Sequence, residues 1–214
     1  MKNSKLIILG IIILSFIVGI YLYPQFPSPM ASHWNFRGEV NGYMSKFWGL
    51  FLMPLISVFI LLLFLLIPRI DPLKANIEKF RKYFDRFLVI FILFLFYIYL
   101  LTVFWNLGQR FSINLFLIPA FAILFYYTGI LIENAKRNWF VGIRTPWTLS
   151  SETVWEKTHK IGGKLMKAAA VFILFGIFFP NYLWFFILFP IIFATSYPAI
   201  YSYFEYREET KNGA

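Results

Sequence analysis

Long apolar runs leave this chain few folds to choose from. Leu6–Leu22, Phe47–Ile67, Phe87–Leu107 and Phe111–Ile132 carry no charge, and Leu165–Tyr203 carries only Lys167. A membrane-spanning helix needs about 17–25 predominantly apolar residues, so each of the first four runs suffices for one crossing. The last is long enough for two. Pro180 disfavours helix in the residue before it, so a break at Pro180-Asn181 gives spans Leu165–Phe179 and Tyr182–Tyr203. Composition agrees: 60% of the 214 residues are hydrophobic and 14% charged, against about 45–50% and 25% in soluble domains. A water-soluble globule of this size cannot cover such an excess with polar groups. The expected fold is an all-α membrane protein, a bundle of six transmembrane helices.

The first run has two readings, because a signal peptide also pairs basic residues with an apolar core. That core runs about 7–15 residues before a small-residue cleavage site. Here the run is longer and leads into Tyr23-Pro24-Gln25-Phe26-Pro27, which favours an uncleaved span. Pro54 and Pro119 lie inside the second and fourth spans, where neighbouring helices can satisfy the freed carbonyls, and Pro68 is expected to close the second. The proline- and glycine-punctuated loop Tyr23–Lys46 predicts turns and extended backbone. Arg69–Arg86 has two readings as well: a basic amphipathic helix in the headgroup region, or an inward extension of the third span. The fifth span is short, about 22 Å against a hydrocarbon core of about 30 Å, so either Lys164 and Lys167 snorkel or the local bilayer thins. The tail from Glu205 to Ala214 is charged and expected to fray.

The net charge of +10 fits either nucleic acid or a membrane surface, and its distribution favours the membrane. Arg69, Lys74, Lys79, Arg81, Lys82 and Arg86 fall in the second loop, and Lys136, Arg137, Arg144, Lys157, Lys160 and Lys164 in the fourth. The first loop has only Arg37 and Lys46, the third only Arg110, and the fifth no lysine or arginine. Because lysine and arginine mark cytoplasmic loops, both termini are expected in the cytoplasm, with the His33 loop across the membrane from the fourth loop. No direct nucleic-acid contact is expected. The regions are then 1–70, two helices and an external loop; 71–137, a basic segment and spans three and four; 138–204, a polar stretch and the last two spans; and 205–214, the tail.

The polar stretch Asn138–Gly163 is the densest in special chemistry. Thr145 before Pro146 should be extended. Ser150 is a good helix N-cap with Glu152 in the first turn, and Leu149 with Val154 can form a hydrophobic staple. A short helix over about Ser151–Lys160 is expected, ended by Gly162-Gly163. On it Glu156 and Lys160 would pair, and Trp155 and His159 would share a face.

The run Gly142-Ile143-Arg144-Thr145-Pro146-Trp147-Thr148-Leu149-Ser150, followed by Trp155, Thr158-His159 and Gly162-Gly163, resembles the signature of the SdpI family of membrane immunity proteins. Pro27, His33-Trp34-Asn35, Gly38, Gly42-Tyr43, Lys46 and Pro54 resemble the small domain of unknown function that commonly precedes that region. The resemblance implies a six-helix bundle that protects the cell from a secreted, membrane-active killing peptide. It also implies that a cytosolic winged-helix repressor is captured at the membrane. Membrane lipids are the remaining partner. Asn138, Gly142, Arg144, Thr145, Pro146, Trp147, Trp155, Thr158, His159, Gly162 and Gly163 are the candidate partner or signature-loop residues. His33, Trp34, Asn35 and Gly38 are the candidate external-loop residues.

Other chemistry weighs less. Glu156-x-x-His159 has the spacing of carboxylate-bridged metal sites in helix bundles, but the only other histidine, His33, is expected on the opposite face. His33 with Glu39 is a weak acid–base or metal pair. Arg144 can hold a lipid phosphate, a loop carbonyl or a partner carboxylate, while Trp139, Trp147 and Trp155 suit interface anchoring. There is no nucleophile elbow, no phosphate-cradling loop and no cysteine, so no catalytic role, cofactor or metal is expected. A small transporter or exporter is the alternative. An interfacial metal-dependent enzyme using His33 or His159 is a second.

Overall fold

The computed structural model describes residues 2–212. Its helices are α1 (Lys2–Leu22), α2 (Lys46–Ile70), α3 (Lys74–Lys79), α4 (Arg81–Asn106), α5 (Ile113–Asn134), α6 (Pro146–Ser150), α7 (Glu152–Phe175) and α8 (Leu183–Asn212). Among the described residues, six helices are long and apolar enough to cross a membrane. Large apolar side chains cover their outer faces; Phe178 is 75% exposed and Phe59 63%, which suits lipid rather than water.

The helices pack as two sets of three. In the first, Ile8 and Ile12 of α1, Leu61 of α2 and Leu88, Ile92 and Leu95 of α4 form one buried cluster. In the second, α5, α7 and α8 share two: Ile132, Met166, Ala169 and Ala194 at one level, and Ile118, Ile173 and Leu183 at the other. Because neighbouring apolar side chains gain nothing from lipid exclusion, close backbone approach matters more in a membrane. At the α5–α7 crossing, a Cβ on Gly129 or on Gly163 would stand 2.6 Å from the other glycine's carbonyl oxygen. One turn away Lys167 Nζ meets Glu133 Oε2 at 2.7 Å.

Several expectations require correction. Gly162-Gly163 does not end a helix; α7 runs through both, because each glycine receives a neighbour that a side chain would exclude: the Ile143 side chain at Gly162, and α5 at Gly163. The fifth span is therefore the full Glu152–Phe175 helix rather than a short Leu165–Phe179 one. Lys167 is ion-paired rather than snorkelling. Pro68 does not close α2, which continues to Ile70 and ends where the Asp71 N–H returns to the Ile67 carbonyl. Arg69–Arg86 divides between its two readings: α3 is a separate short helix, and α4 begins at Arg81 after a break at Phe80. The break at Pro180-Asn181 is present, as two 3-10 turns, Gly176–Phe178 and Pro180–Tyr182. The tail does not fray at Glu205 but stays helical to Asn212; Gly213 and Ala214 lie outside the described residues.

The Tyr23–Lys46 loop departs from a purely helical fold. Met30–Trp34 (β1) pairs antiparallel with Val40–Met44 (β2), with Met30 opposite Met44 and Trp34 opposite Val40. This hairpin is fixed to α4 by two bonds with Asn106: the Ala31 N–H donates to its Oδ1 and its Nδ2 donates to the Ala31 carbonyl, each at 2.9 Å. Asn114 Nδ2 at the start of α5 donates to the Asn35 carbonyl at 2.8 Å. The hairpin therefore caps one end of the bundle, and the Asn138–Gly163 stretch occupies the other.

If the glycine crossing holds the second set together, Gly163→Ala should lower resistance to denaturant by about 1–3 kcal/mol through overpacking. Gly10→Ala, where an added Cβ meets nothing within 4 Å, should be neutral or slightly stabilising because alanine favours helix. Denaturant titration of the detergent-solubilised protein followed by circular dichroism measures both.

Candidate functional site

At the signature end, α5 stops at Asn134 and the chain reaches Thr145 without regular structure, so its backbone polar groups must find side-chain partners. Asn138, 0% exposed, supplies four bonds. Its Oδ1 accepts from the Phe140 and Val141 N–H groups at 2.9 and 2.6 Å. Its Nδ2 donates to the Lys136 and Val141 carbonyls, both at 2.8 Å. A carboxamide can use all of its hydrogen-bonding capacity in this way. Buried Asp71 brings in the first helix set: Oδ2 accepts from the Trp139 N–H at 2.9 Å and Oδ1 from the Leu73 N–H at 2.6 Å. Asn76 Nδ2 of α3 donates to the Arg137 carbonyl at 2.9 Å. Ile67, Ile77, Phe80 and Phe84 close over Leu131, Ala135 and Trp155 beneath these bonds.

His159 sits at the centre. Its ring stacks on Trp155 with centroids 3.8 Å apart and planes 16° from parallel, as their shared helix face predicts. Both residues are almost wholly buried, and the Trp155 indole N–H donates to the Ala135 carbonyl at 2.8 Å. The Ile143 N–H donates to His159 Nε2 at 3.0 Å. That nitrogen must therefore be the bare one, and Nδ1–H donates to the Trp155 carbonyl at 2.8 Å. Gly142 permits the approach: its φ is +116°, and an added Cβ would collide with His159 Nε2 and stand 3.3 Å from Trp155 Cζ2. With both ring nitrogens engaged, His159 has no lone pair to offer a metal. Glu156 pairs with Lys136 at 2.7 Å and not, as its spacing suggested, with Lys160. Among the described residues no three histidine, cysteine, aspartate or glutamate side chains cluster as cation ligands.

The exit from the loop is built on threonines. Thr145, extended as Pro146 requires, caps α6 in a reciprocal box with Thr148, whose hydroxyl also donates to the Ile143 carbonyl at 2.8 Å. Ser151, rather than Ser150, caps α7 by accepting from the Val154 N–H at 3.2 Å. Thr145 Oγ1 meets buried Ser202 Oγ of α8 at 2.9 Å, and Trp147 lies edge-on to Tyr203 at 5.1 Å. Below them Glu205 takes an ion pair from Lys157 and accepts from the Tyr201 hydroxyl at 2.6 Å. Thr158 is buried and its hydroxyl finds no partner among the described residues. Arg144 is exposed: Nη1 donates to the Trp139 carbonyl at 2.6 Å, and the Arg144 and Trp139 side chains both face outward.

The external-loop candidates form a second group at the opposite end. Gly38, at φ +80°, lets the turn close so that Asn35 Oδ1 accepts from the Arg37 and Glu39 N–H groups at 2.9 and 3.0 Å. Asn35 Nδ2 donates to Glu39 Oε2 at 2.9 Å, so Glu39 serves the turn rather than His33. His33 is exposed and bonds Asn41 Oδ1 at 2.5 Å through Nδ1. Trp34 packs edge-on to Trp105 at 5.4 Å. The bundle separates the two histidines.

Sequence reasoning missed Asp71, Asn76, Ser202 and Glu205. The only local trace was a lone Asp-Pro just after an apolar span and a carboxylate at the end of another; their partners lie far along the chain.

Residues 134–202 match the SdpI/YfhL protein family, and residues 10–58 match DUF1648, a domain of unknown function. Over 164 residues the chain is 26% identical to the immunity protein SdpI of Bacillus subtilis (strain 168), covering 77% of this chain and 76% of that protein. No solved structure matches the chain. With its six spanning helices, the chain is a multi-pass cell-membrane protein that is similar to the SdpI/YfhL family over residues 134–202.

Asn138→Ala strands two buried N–H groups and should cost about 1–3 kcal/mol. Arg144→Ala loses one exposed bond and should cost about 1 kcal/mol or less. Thermal unfolding in detergent measures the contrast.

Proposed function

We propose that this chain, which carries the SdpI/YfhL region at 134–202, is a non-enzymatic immunity protein that protects its cell from a secreted, membrane-active peptide. The relative named for immunity supports this reading, as does the matching extent along both proteins. The observation that carries it is the construction of the signature stretch. Its buried members, Asn138, Thr148, Trp155 and His159, are consumed in holding shape, while Arg144 and Trp139 stay exposed on a rigid support. Rigid placement of an exposed guanidinium and indole is what partner recognition requires. A lysine- and arginine-rich end is retained on the cytoplasmic side. We therefore assign the signature end to the cytoplasm, with both termini, and the hairpin end to the outside. The cytoplasmic surface would then meet the winged-helix repressor, and the outer end the peptide.

Expression in a peptide-sensitive host should raise survival against a membrane-active killing peptide at least tenfold, and Arg144→Ala should remove most of that gain while protein level and thermal midpoint hold. Unchanged killing across a panel of such peptides contradicts the immunity reading. Full protection by Arg144→Ala removes Arg144 from the mechanism.

A further inference from the structure

The two ends of the bundle differ in how the helix sets meet. At the signature end they are sealed by Asp71, Asn76 and the cluster around Trp155. At the hairpin end α4 and α5 stay packed, through Phe94 on Phe121 and the Tyr97 hydroxyl donating to the Phe116 carbonyl. A cavity of about 440 Å³ opens instead between the hairpin and the α5–α8 pair, and continues past Phe36, Asn114 and Leu183 into a more polar one of about 590 Å³. These volumes fall in the range of ligand sites, about 300–1,000 Å³. One wall is the hairpin, within reach of the DUF1648 match; the other is α5 and the start of α8, which lies in the SdpI/YfhL match.

The lining specifies the occupant. The floor is Leu117, Phe121, Leu183 and Ile187, apolar and sized for a large side chain. Trp34 forms part of the wall, and its buried indole N–H has no partner among the described residues, a state that costs about 1–3 kcal/mol. The Asn114 Nδ2 and Asn41 Oδ1 atoms are used within the protein. Asn114 Oδ1, Asn41 Nδ2 and the whole Asn181 carboxamide have no bond among the described residues. Carboxamides and an indole N–H match the donors and acceptors of a peptide backbone. A lipid phosphate would call for clustered cations, and the only lysine or arginine lining either cavity is Arg37.

We propose that this outer cleft, between the hairpin and the α5–α8 pair, is a peptide-binding site. It takes an aromatic or branched aliphatic side chain on its floor and the flanking backbone amides at Trp34, Asn41, Asn114 and Asn181. The identification of its natural occupant with a membrane-active peptide rests on the immunity reading; the site itself does not.

The chain has no cysteine, so Leu117→Cys in full-length protein in phosphatidylglycerol–phosphatidylcholine nanodiscs gives one reporter on the floor. Ile187→Cys is a second reporter should the first variant misfold. N-acetyl-phenylalanyl-leucinamide at millimolar concentration should slow alkylation by a small maleimide at least threefold. 2-Phenylethanol, which brings the ring without the amides, should not. Trp34→Phe, keeping the ring and removing the N–H, should weaken the protection. Equal protection by both compounds, no protection by either, or protection that follows only the acyl chain of the nanodisc lipid each overturns the site. Failure here leaves the survival result standing, and protection here with failed survival overturns only the immunity reading.

Discussion

The bond from the Ile143 N–H to His159 Nε2 is the constraint on which the signature end depends. It crosses from an irregular loop to a spanning helix, and it exists only because Gly142 has no side chain. Trp155 covers the ring and ties the same helix to Ala135, where α5 has just ended. A loop in this position would otherwise carry a row of unsatisfied backbone groups at the edge of hydrocarbon, where each costs several kcal/mol. Asn138 and Thr148 complete the job by bonding to the chain around themselves. The residues most distinctive in the sequence are thus mostly structural, and their collective product is a stiff platform for Arg144 and Trp139.

The platform also joins the two helix sets. Asp71 reaches the Trp139 backbone from the far side of the bundle, and α3 packs Ile77 and Phe80 into the same core as Trp155. Sealed there, the molecule leaves a cleft at its other end, between the hairpin and the α5–α8 pair. The two ends carry different chemistry. The sealed end is basic; the hairpin end holds a cleft with an apolar floor and amide-like rim.

Hydropathy made the six spans and the Pro180 break legible, because membrane thickness fixes helix length. Helix-end chemistry read the double glycine wrongly. Gly162-Gly163 looks like a helix terminus in isolation, yet in lipid small residues let helices touch, and Gly129 on another helix supplies the partner. The shared face of Trp155 and His159 followed from spacing alone. What that face meets did not: Glu156 turned to Lys136, and His159 to a backbone N–H sixteen residues upstream. The hairpin was readable as extended chain but not as a paired one, since its strands are short and docked by Asn106, a residue from a distant helix end. Long-range bonds of this kind leave no periodic mark.

The chain has two histidines, which makes the central bond directly observable. Nitrogen NMR of histidine-labelled protein in nanodiscs near neutral pH, with His33→Gln removing the other ring, reports the tautomer of His159 alone. A neutral ring protonated at Nδ1, with Nε2 coupled across the hydrogen bond to the Ile143 amide, is the predicted result. A ring protonated at Nε2, or at both nitrogens, would contradict the account, because the Ile143 N–H would then have nothing to bond and the signature loop no anchor on α7.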